Sequence, residues 1–294
     1  MFKHLWTKKH GFMKLIDGKK LSLSLLEALK VQQHTSIPTL AIIHVGSRSD
    51  SQTYIKMKQN AAKKLGFTCQ IHHFEDSIPQ SSLISEIQKL NNDSAINGII
   101  VQLPLPDGFD AISILNKVSY LKDVDGLHRE NIGRLSSRID TPLFMPCTAR
   151  GVLYLIKSTN VELKGSHCVV VGISDLVGRP VGQLMLREGA TVTFCHSKTK
   201  NLPSIINTAD ILVVAIGAPE YIRGEWIKEN SVVIDVGINS IETPTGYKLV
   251  GDIHFQSACT KAGYITPVPG GVGPLTVAYL MKNLSEAQLL QANQ

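Results

Sequence analysis

Long apolar runs are missing from this chain. LAIIHV (Leu40 to Val45), INGIIVQL (Ile96 to Leu103) and CVVVG (Cys168 to Gly172) all stop far short of the ~20 residues that cross a bilayer, so no membrane span is expected. Paired cysteines are missing too. Cys69, Cys147, Cys168, Cys195 and Cys259 are scattered, odd in number and free of any CxxC spacing, which speaks against a disulfide framework or a zinc site and for a reducing compartment. Charge of one sign is scarce outside the amino terminus. Of the net +6, half comes from Lys3, Lys8 and Lys9 in residues 1–12, and the rest of the chain has no basic stripe interleaved with aromatics. A nucleic-acid partner is therefore not expected, whereas a small polyanionic ligand suits the modest excess. A secretory leader's apolar core and cleavage site are also lacking. Residues 1–12 read as a basic extension, or as a fragment of an organellar targeting segment, and the expected location is cytoplasmic.

What is present is ordinary globular material: 43% hydrophobic, 18% charged, and 294 residues long, enough for two cores of about 100–150 residues each. From Met13 onward, β-rich runs alternate with helical patterns. The first half offers a strand at 40–45, a helix at 51–65 with Ser51 placed as its cap and Gly66 as its stop, a strand at 67–74, a helix at 82–90 and a strand from 96 to about 103. After Pro146 come a helix at 148–158 and strands at 167–171, 191–195, 211–216 and 232–236, with helices at 178–187 and 202–208. These later strands are nearly continuous Val and Ile, as burial on both faces of a parallel sheet requires. A final helix starts near Gly273 or Pro274. The fold class is α/β, with two domains, the second a Rossmann-like parallel sheet, and a cleft between them.

The segment VVVGISDLVGRPVG (Val169 to Gly182) joins a strand to a helix through Gly172 and Gly178, so backbone N–H groups can converge on a pyrophosphate. The GxGxxG pattern is incomplete, since Ser174 and Val177 stand at its second and third glycine positions. The next strand ends in CHSKTKN, where Ser197 and Lys198 can meet a ribose or its 2′-phosphate and the Asp or Glu usual for NAD is missing. AIGAP and DVGIN end the following two strands. Ala215, Gly217, Gly237 and Ile238 there allow backbone to approach a flat ring, although glycine also serves plain turns.

In the first half, SQTYIKMK places Tyr54 and Lys58 one helical turn apart on a shared face. An amine on an enclosed face can lose its proton near neutral pH and act as a base or acid; a solvated helical lysine cannot be told from it by spacing. VQLPLP sets the amide of Gln102 at a strand end beside Pro104 and Pro106. KDVDG offers Asp123 and Asp125 to ligand donors, or to magnesium, for which a third hard ligand is lacking. TPVPGGVGPLT can press Pro269, Gly270 and Gly271 against a substrate ring or merely connect domains.

Taken together, YIKMK, GIIVQLPLP, KDVDG, PCTARG, VVVGISDLVGRP and YITPVPGGVGPLTVA resemble, in order, the bifunctional methylenetetrahydrofolate dehydrogenase/methenyltetrahydrofolate cyclohydrolase family, from Met13 to about Leu284. The resemblance implies oxidation of 5,10-methylenetetrahydrofolate with NADP, then hydrolysis to 10-formyltetrahydrofolate, in one-carbon metabolism. It implies that Lys58 is essential to the cyclohydrolase step, that Gln102 tunes it, that Tyr54 stacks on or orients the pterin, and that Asp125 anchors the pterin's donor edge. Pro269, Gly270 and Gly271 are expected on the substrate; Gly172, Ile173, Ser174, Val177, Gly178, Ser197, Lys198, Ala215, Gly217, Gly237 and Ile238 on the nucleotide; no metal is expected. The expected partners are tetrahydrofolate derivatives, with or without polyglutamate tails, and a second copy in a homodimer. The expected division is 1–12 extension, 13–148 catalytic folate-binding domain, 149–271 NAD(P)-binding domain, and 272–294 a helix returning to the first domain.

Three positions depart from the family pattern. Ile173 stands where many relatives carry an arginine associated with the 2′-phosphate, which leaves NAD open beside NADP. Ala149 and Leu275 replace a proline and a methionine, apolar exchanges that affect packing more than chemistry. A relative that has lost one activity, or a nucleotide sensor on the same fold, are the alternatives. Retention of Lys58, Gln102 and Asp125 weighs against the first; the basic arm at residues 1–12 is the best support for a nucleic-acid role, against which stands the lack of a basic stripe in the rest of the chain.

Overall fold

The computed structural model describes residues 13–32, 34–244 and 246–292; the extension 1–12 lies outside the described residues. The first elements are β1 (Lys14–Leu15), α1 (Gly18–Lys30), β2 (Thr39–Val45), α2 (Ser49–Leu65), β3 (Thr68–Phe74), α3 (Gln80–Asn92) and β4 (Gly98–Val101). Two short helices, α4 (Ala111–Leu115) and α5 (Arg129–Ser136), precede α6 (Cys147–Lys157). Then come β5 (His167–Val171), α7 (Gly178–Arg187), β6 (Thr191–Cys195), α8 (Leu202–Ile206), β7 (Ile211–Val214) and β8 (Val232–Asp235). The last elements are β9 (Asn239–Thr243), β10 (Gly246–Val250), α9 (Phe255–Ala258), β11 (Tyr264–Ile265) and the long α10 (Val272–Ala292).

Two compact units form. The first comprises Lys19–Gly151 and, from Pro274, the described remainder of α10. Its three-stranded parallel sheet has β2 between β3 and β4. Every residue of β2 is buried, and its two-residue alternation sends Ala41, Ile43 and Val45 to one face, against Leu83, Ile87 and Leu90 of α3. The opposite face accepts α10 closely. A Cβ on Gly98 would overlap Val124, with Leu284 also within contact. Asn283 of α10 donates its amide to the carbonyls of Val124 (2.8 Å) and Met145 (3.1 Å), so the helix carries polar ties as well as apolar packing.

The second unit comprises residues 13–18 and Val152–Gly273. Its six strands run in the order β1-β11-β8-β7-β5-β6 with parallel pairing throughout. β7 and β8 are buried at every residue and β5 at all but its first, the environment that their Val and Ile content demands. Gly182 lets α7 close onto β6, because a Cβ there would overlap the Phe194 ring.

The structure departs from the sequence reading in several places. Ser51 lies inside α2, not at its cap. Arg48 precedes the helix without a side-chain cap, and Asp50 accepts the Ser51 N–H instead (2.8 Å). Gly66 does end α2, at φ 74. The strand read from 96 to 103 is only Gly98–Val101. The expected domain boundaries shift as well. Residues 13–18 join the second unit because β1 pairs with β11, and 149–151 stay with the first, where Arg150 donates to Asn283 (2.7 Å) and pairs with Glu286 (3.2 Å). Residues 272–273, assigned to the returning helix, group with the second unit. The antiparallel pair β9–β10 was unread, since its mostly exposed or half-buried residues have no apolar run to mark it.

Candidate active site

Helix α2 carries four lysines, and burial sorts them. Lys56, Lys63 and Lys64 are exposed, while Lys58 is 9% exposed on the face shared with Ser51, Ile55, Ala61 and Ala62. Its Nζ donates to Gln102 Oε1 at 2.8 Å. Gln102 follows β4 directly and is fixed at both ends: its N–H donates to the Ile43 carbonyl (2.8 Å) and its Nε2 to the Leu103 carbonyl (2.7 Å). With Nε2 committed, Oε1 must face the amine. Desolvation pulls the Lys58 pKa below the ordinary lysine value, and the Asp125 charge opposes that pull. Tyr54, one turn earlier and half-buried, has its hydroxyl pKa raised by burial and then by Asp50.

The two acids of KDVDG separate in role. Asp123 is spent on its own loop: its carboxylate accepts from Leu127 N (3.2 Å), His128 N (2.7 Å) and Asn131 Nδ2 (2.8 Å). Burial pushes it up to about 7, against those donors. The reading of Asp123 as a ligand acceptor is therefore corrected. Asp125, half-buried, is the acid whose charge reaches Lys58. Cys147, missed by sequence reasoning, lies in the same surroundings. Its thiol donates to the Val124 carbonyl (3.3 Å), and burial, then Asp125, push its pKa well above the ordinary thiol value. No local signal distinguishes it from the other scattered cysteines.

In the second unit, the turn between β5 and α7 is built by close backbone approach. Gly172 takes φ 109, its N–H donates to the Cys195 carbonyl (2.9 Å), and a Cβ there would overlap the Ala215 carbonyl; one on Gly178 would overlap the Gly172 carbonyl. Such a cradle, opening a helix N-terminus, suits a pyrophosphate. Ser174 is exposed and accepts the Val177 N–H (3.3 Å), and Ile173 is half-buried. Arg179, overlooked in the sequence, donates its Nε to the Ile173 carbonyl (3.1 Å) and pairs with Asp175 (3.4 Å). Its place right after Gly178 was the available signal. Ser197 and Lys198 are exposed in the turn after β6, ordered by the Thr199 hydroxyl accepting His196 N (2.8 Å). Ala215 and Gly217 follow β7, and Gly237 and Ile238 follow β8, at the carboxyl ends where open α/β sheets bind ligands. Pro269, Gly270 and Gly271 belong to this second unit too. Gly270 takes φ 107, and Gly271 packs where a Cβ would crowd the Pro267 carbonyl (2.6 Å).

A Rossmann-like sheet with a phosphate-cradling turn in one unit, and an amine buried against an amide in the other, define the class: an α/β nucleotide-dependent enzyme. Comparison with known proteins narrows this. The tetrahydrofolate dehydrogenase/cyclohydrolase catalytic domain matches residues 16–125, and the NAD(P)-binding domain of the same family matches 146–292. The chain is 48% identical to the bifunctional protein FolD of Bacillus cytotoxicus over 261 residues, covering 89% of this chain and 90% of that protein. Among solved structures, the Campylobacter jejuni FolD dehydrogenase/cyclohydrolase superposes with a TM-score of 0.89 at 40% identity, covering 95% of this chain and 99% of that one. The Trypanosoma brucei enzyme, complexed with NADP and inhibitor, gives 0.92 at 38% identity over 96% and 99% of the two chains. The chain belongs to the tetrahydrofolate dehydrogenase/cyclohydrolase family and is a bifunctional methylenetetrahydrofolate dehydrogenase/cyclohydrolase.

Proposed function

We propose that the chain oxidises 5,10-methylenetetrahydrofolate to the methenyl form with NADP and hydrolyses that product to 10-formyltetrahydrofolate, with Lys58 as the base and acid of hydrolysis. The observation that carries this reading is the buried amine of Lys58, 2.8 Å from a Gln102 oxygen that is itself locked in place. Bound nicotinamide nucleotide supplies the hydride acceptor. The turn of Gly172 and Gly178 fits its pyrophosphate, since at both glycines backbone packs on backbone where a Cβ would overlap a carbonyl, and this close folding brings the strand end onto the N-terminus of α7. Loss of hydride from the one-carbon bridge leaves a cation stabilised by two nitrogens, so positioning suffices for that step. Hydrolysis needs a proton acceptor. Neutral Lys58 takes one proton from the attacking water as its oxygen bonds to the bridge carbon; the bond from that carbon to one ring nitrogen then breaks, the nitrogen receiving that proton from Lys58 while the adduct's remaining hydroxyl proton passes to solvent as the formyl C=O forms. Desolvation favours the neutral amine this requires, and it also spares the methenyl cation a neighbouring ammonium. Tyr54 orients the pterin from the same helix face, and Asp125 accepts from its donor edge.

Support for NADP over NAD comes from the cations near the phosphate turn. Arg179 brings a guanidinium back onto the Ile173 carbonyl, and Lys198 with Ser197 stands at the end of β6, where a ribose 2′-substituent is read. Ile173 itself favours the second reading, NAD. Methylenetetrahydrofolate assayed with NAD and NADP in parallel, following methenyl formation and decay, tests both steps; activity with neither nucleotide would sink the dehydrogenase assignment. Polyglutamylated folates, a homodimer and a cytoplasmic location complete the proposal.

A further inference from the structure

Two buried carboxylates in the second unit are unused by this chemistry. Asp235, the last residue of β8, is 4% exposed, and Asp252, two residues after β10, is 0% exposed. Backbone and amide donors satisfy both. Asp252 Oδ2 accepts from Ile216 N (2.7 Å) and Gly217 N (3.0 Å), and its Oδ1 from Asn239 Nδ2 (2.8 Å). Asp235 in turn holds the backbone that carries Asp252: Oδ1 accepts from Asp252 N (3.0 Å) and Gly237 N (3.0 Å), and Oδ2 from Ile253 N (2.9 Å). Each carboxylate sits against a glycine. A Cβ on Gly251 would overlap Asp235, and one on Gly237 would overlap Asp252. The pair thus locks together the segments that follow β7 and β8.

The lock has a directional consequence. A trans peptide points its N–H and the preceding C=O in opposite directions. Because the N–H groups of Gly217 and Gly237 turn onto the carboxylates, the carbonyls of Ile216 and Val236 turn away from them. Both residues are half-buried, and neither carbonyl accepts a hydrogen bond from a described residue. The turn at Gly172 and Gly178 opens the N-terminus of α7, which offers N–H donors; the ends of β7 and β8 offer acceptors.

We propose that Asp252, held by Asp235, is a positioning residue that makes the β7 and β8 ends an acceptor surface for the carboxamide N–H of a nicotinamide ring. The opposite hydrogen-bonding sign of the two ends sets the direction in which the dinucleotide lies. This inference rests on the nicotinamide-nucleotide reading above.

The test compares dissociation constants for NADP and its 3-acetylpyridine analogue, in which a methyl group replaces the amide nitrogen, by titration calorimetry. The wild type is expected to prefer NADP by about tenfold, as befits one donor set against otherwise unpaired acceptors. In Asp252→Ala the preference should fall below about threefold. Asp252→Asn should restore most of it, since its amide oxygen still accepts from Ile216 and Gly217 while Asn239 turns its own oxygen to face the new amine. If Asp252→Ala does not fold, Asn239→Ala removes one tie and should lower the preference by about twofold. A wild-type preference retained in Asp252→Ala, or in Asn239→Ala where the former is unfolded, overturns the proposal, as does a wild type that binds both nucleotides equally. Binding of neither nucleotide to the wild type instead removes the nucleotide reading and this proposal with it.

Discussion

Replacing Lys58 by methionine separates the two reactions. Methionine nearly matches the stem of lysine, removes the amine and leaves Gln102 Oε1 without its donor at 2.8 Å. Loss of a positioned proton-transfer group costs about 10²- to 10⁴-fold, so methenyl hydrolysis should fall by that amount. Oxidation of methylenetetrahydrofolate, which needs orientation and no strong base, should change by less than about tenfold. The stranded oxygen costs about 1–3 kcal/mol, offset by ending the desolvation of the amine. That offset depends on pH. The folded pKa of Lys58 lies below the ordinary 10.5, so in the wild type the native state binds fewer protons than the unfolded chain between those values. Wild-type stability from this group therefore rises with pH toward 10.5, and Lys58→Met gains most over wild type near neutrality and least near pH 10. The assay follows methenyl absorbance with purified methenyl substrate, alongside thermal melts at pH 7 and pH 10. Hydrolysis by the variant within about threefold of wild type, or roughly 0.6 kcal/mol in barrier, would refute the assignment of Lys58 to the water-handling step.

Other substitutions probe the surroundings. Gln102→Glu puts a carboxylate against the Lys58 amine, raising its pKa, so the acid limb of the hydrolysis pH profile should move to higher pH; a limb that stays in place or moves down counts against the amine's role. Asp123→Asn should destabilise the first unit by about 1–3 kcal/mol, because its amide faces three donors with one acceptor too few. Asp123 is raised from 3.8 to about 7 in the fold, so its native state keeps a proton that the unfolded chain releases. The wild type's advantage in melts should accordingly shrink as pH rises from about 4 to about 7, and an advantage that grows over that range would be the contrary result. Ile173→Arg should raise the NADP-to-NAD ratio of kcat/KM by about tenfold, the worth of one charge-assisted hydrogen bond; an unchanged ratio would place the 2′-phosphate elsewhere.

Much of the parallel sheet in the second unit was legible because strands buried on both faces must be continuously apolar. HCVVV, ILVV and VVID therefore announce themselves. The hairpin of β9 and β10 did not, since strands with so little buried surface need no pattern. Short elements such as β1 were equally silent: two residues carry no period, and only their pairing with β11 makes them a strand. That pairing also carries residues 13–18 into the unit whose bulk lies more than a hundred positions downstream.

At the site, helical spacing put Tyr54 and Lys58 on one face and a strand end marked Gln102, but it was the family resemblance of the motifs in order that singled out Lys58 and Asp125 among similar neighbours. Which lysine of α2 is buried was not local. It depended on β4 ending where Gln102 could turn its oxygen to the amine, 44 positions away in sequence. The same holds for the acids. Asp123 and Asp125 look alike in KDVDG, yet Asn131 and the following turn claim the first and leave the second to act on Lys58 through its charge. Asp235 and Asp252 are the clearest case. Nothing in the sequence marks them as partners, since their tie runs through backbone N–H groups that every residue but proline possesses, and only the meeting of strand ends decides which carboxylate receives them. Sequence alone determined the chemistry available and the architecture that would carry it. Tertiary structure decided which of several similar groups is desolvated, paired and aimed, because burial and hydrogen-bond direction are properties of neighbours distant in the chain.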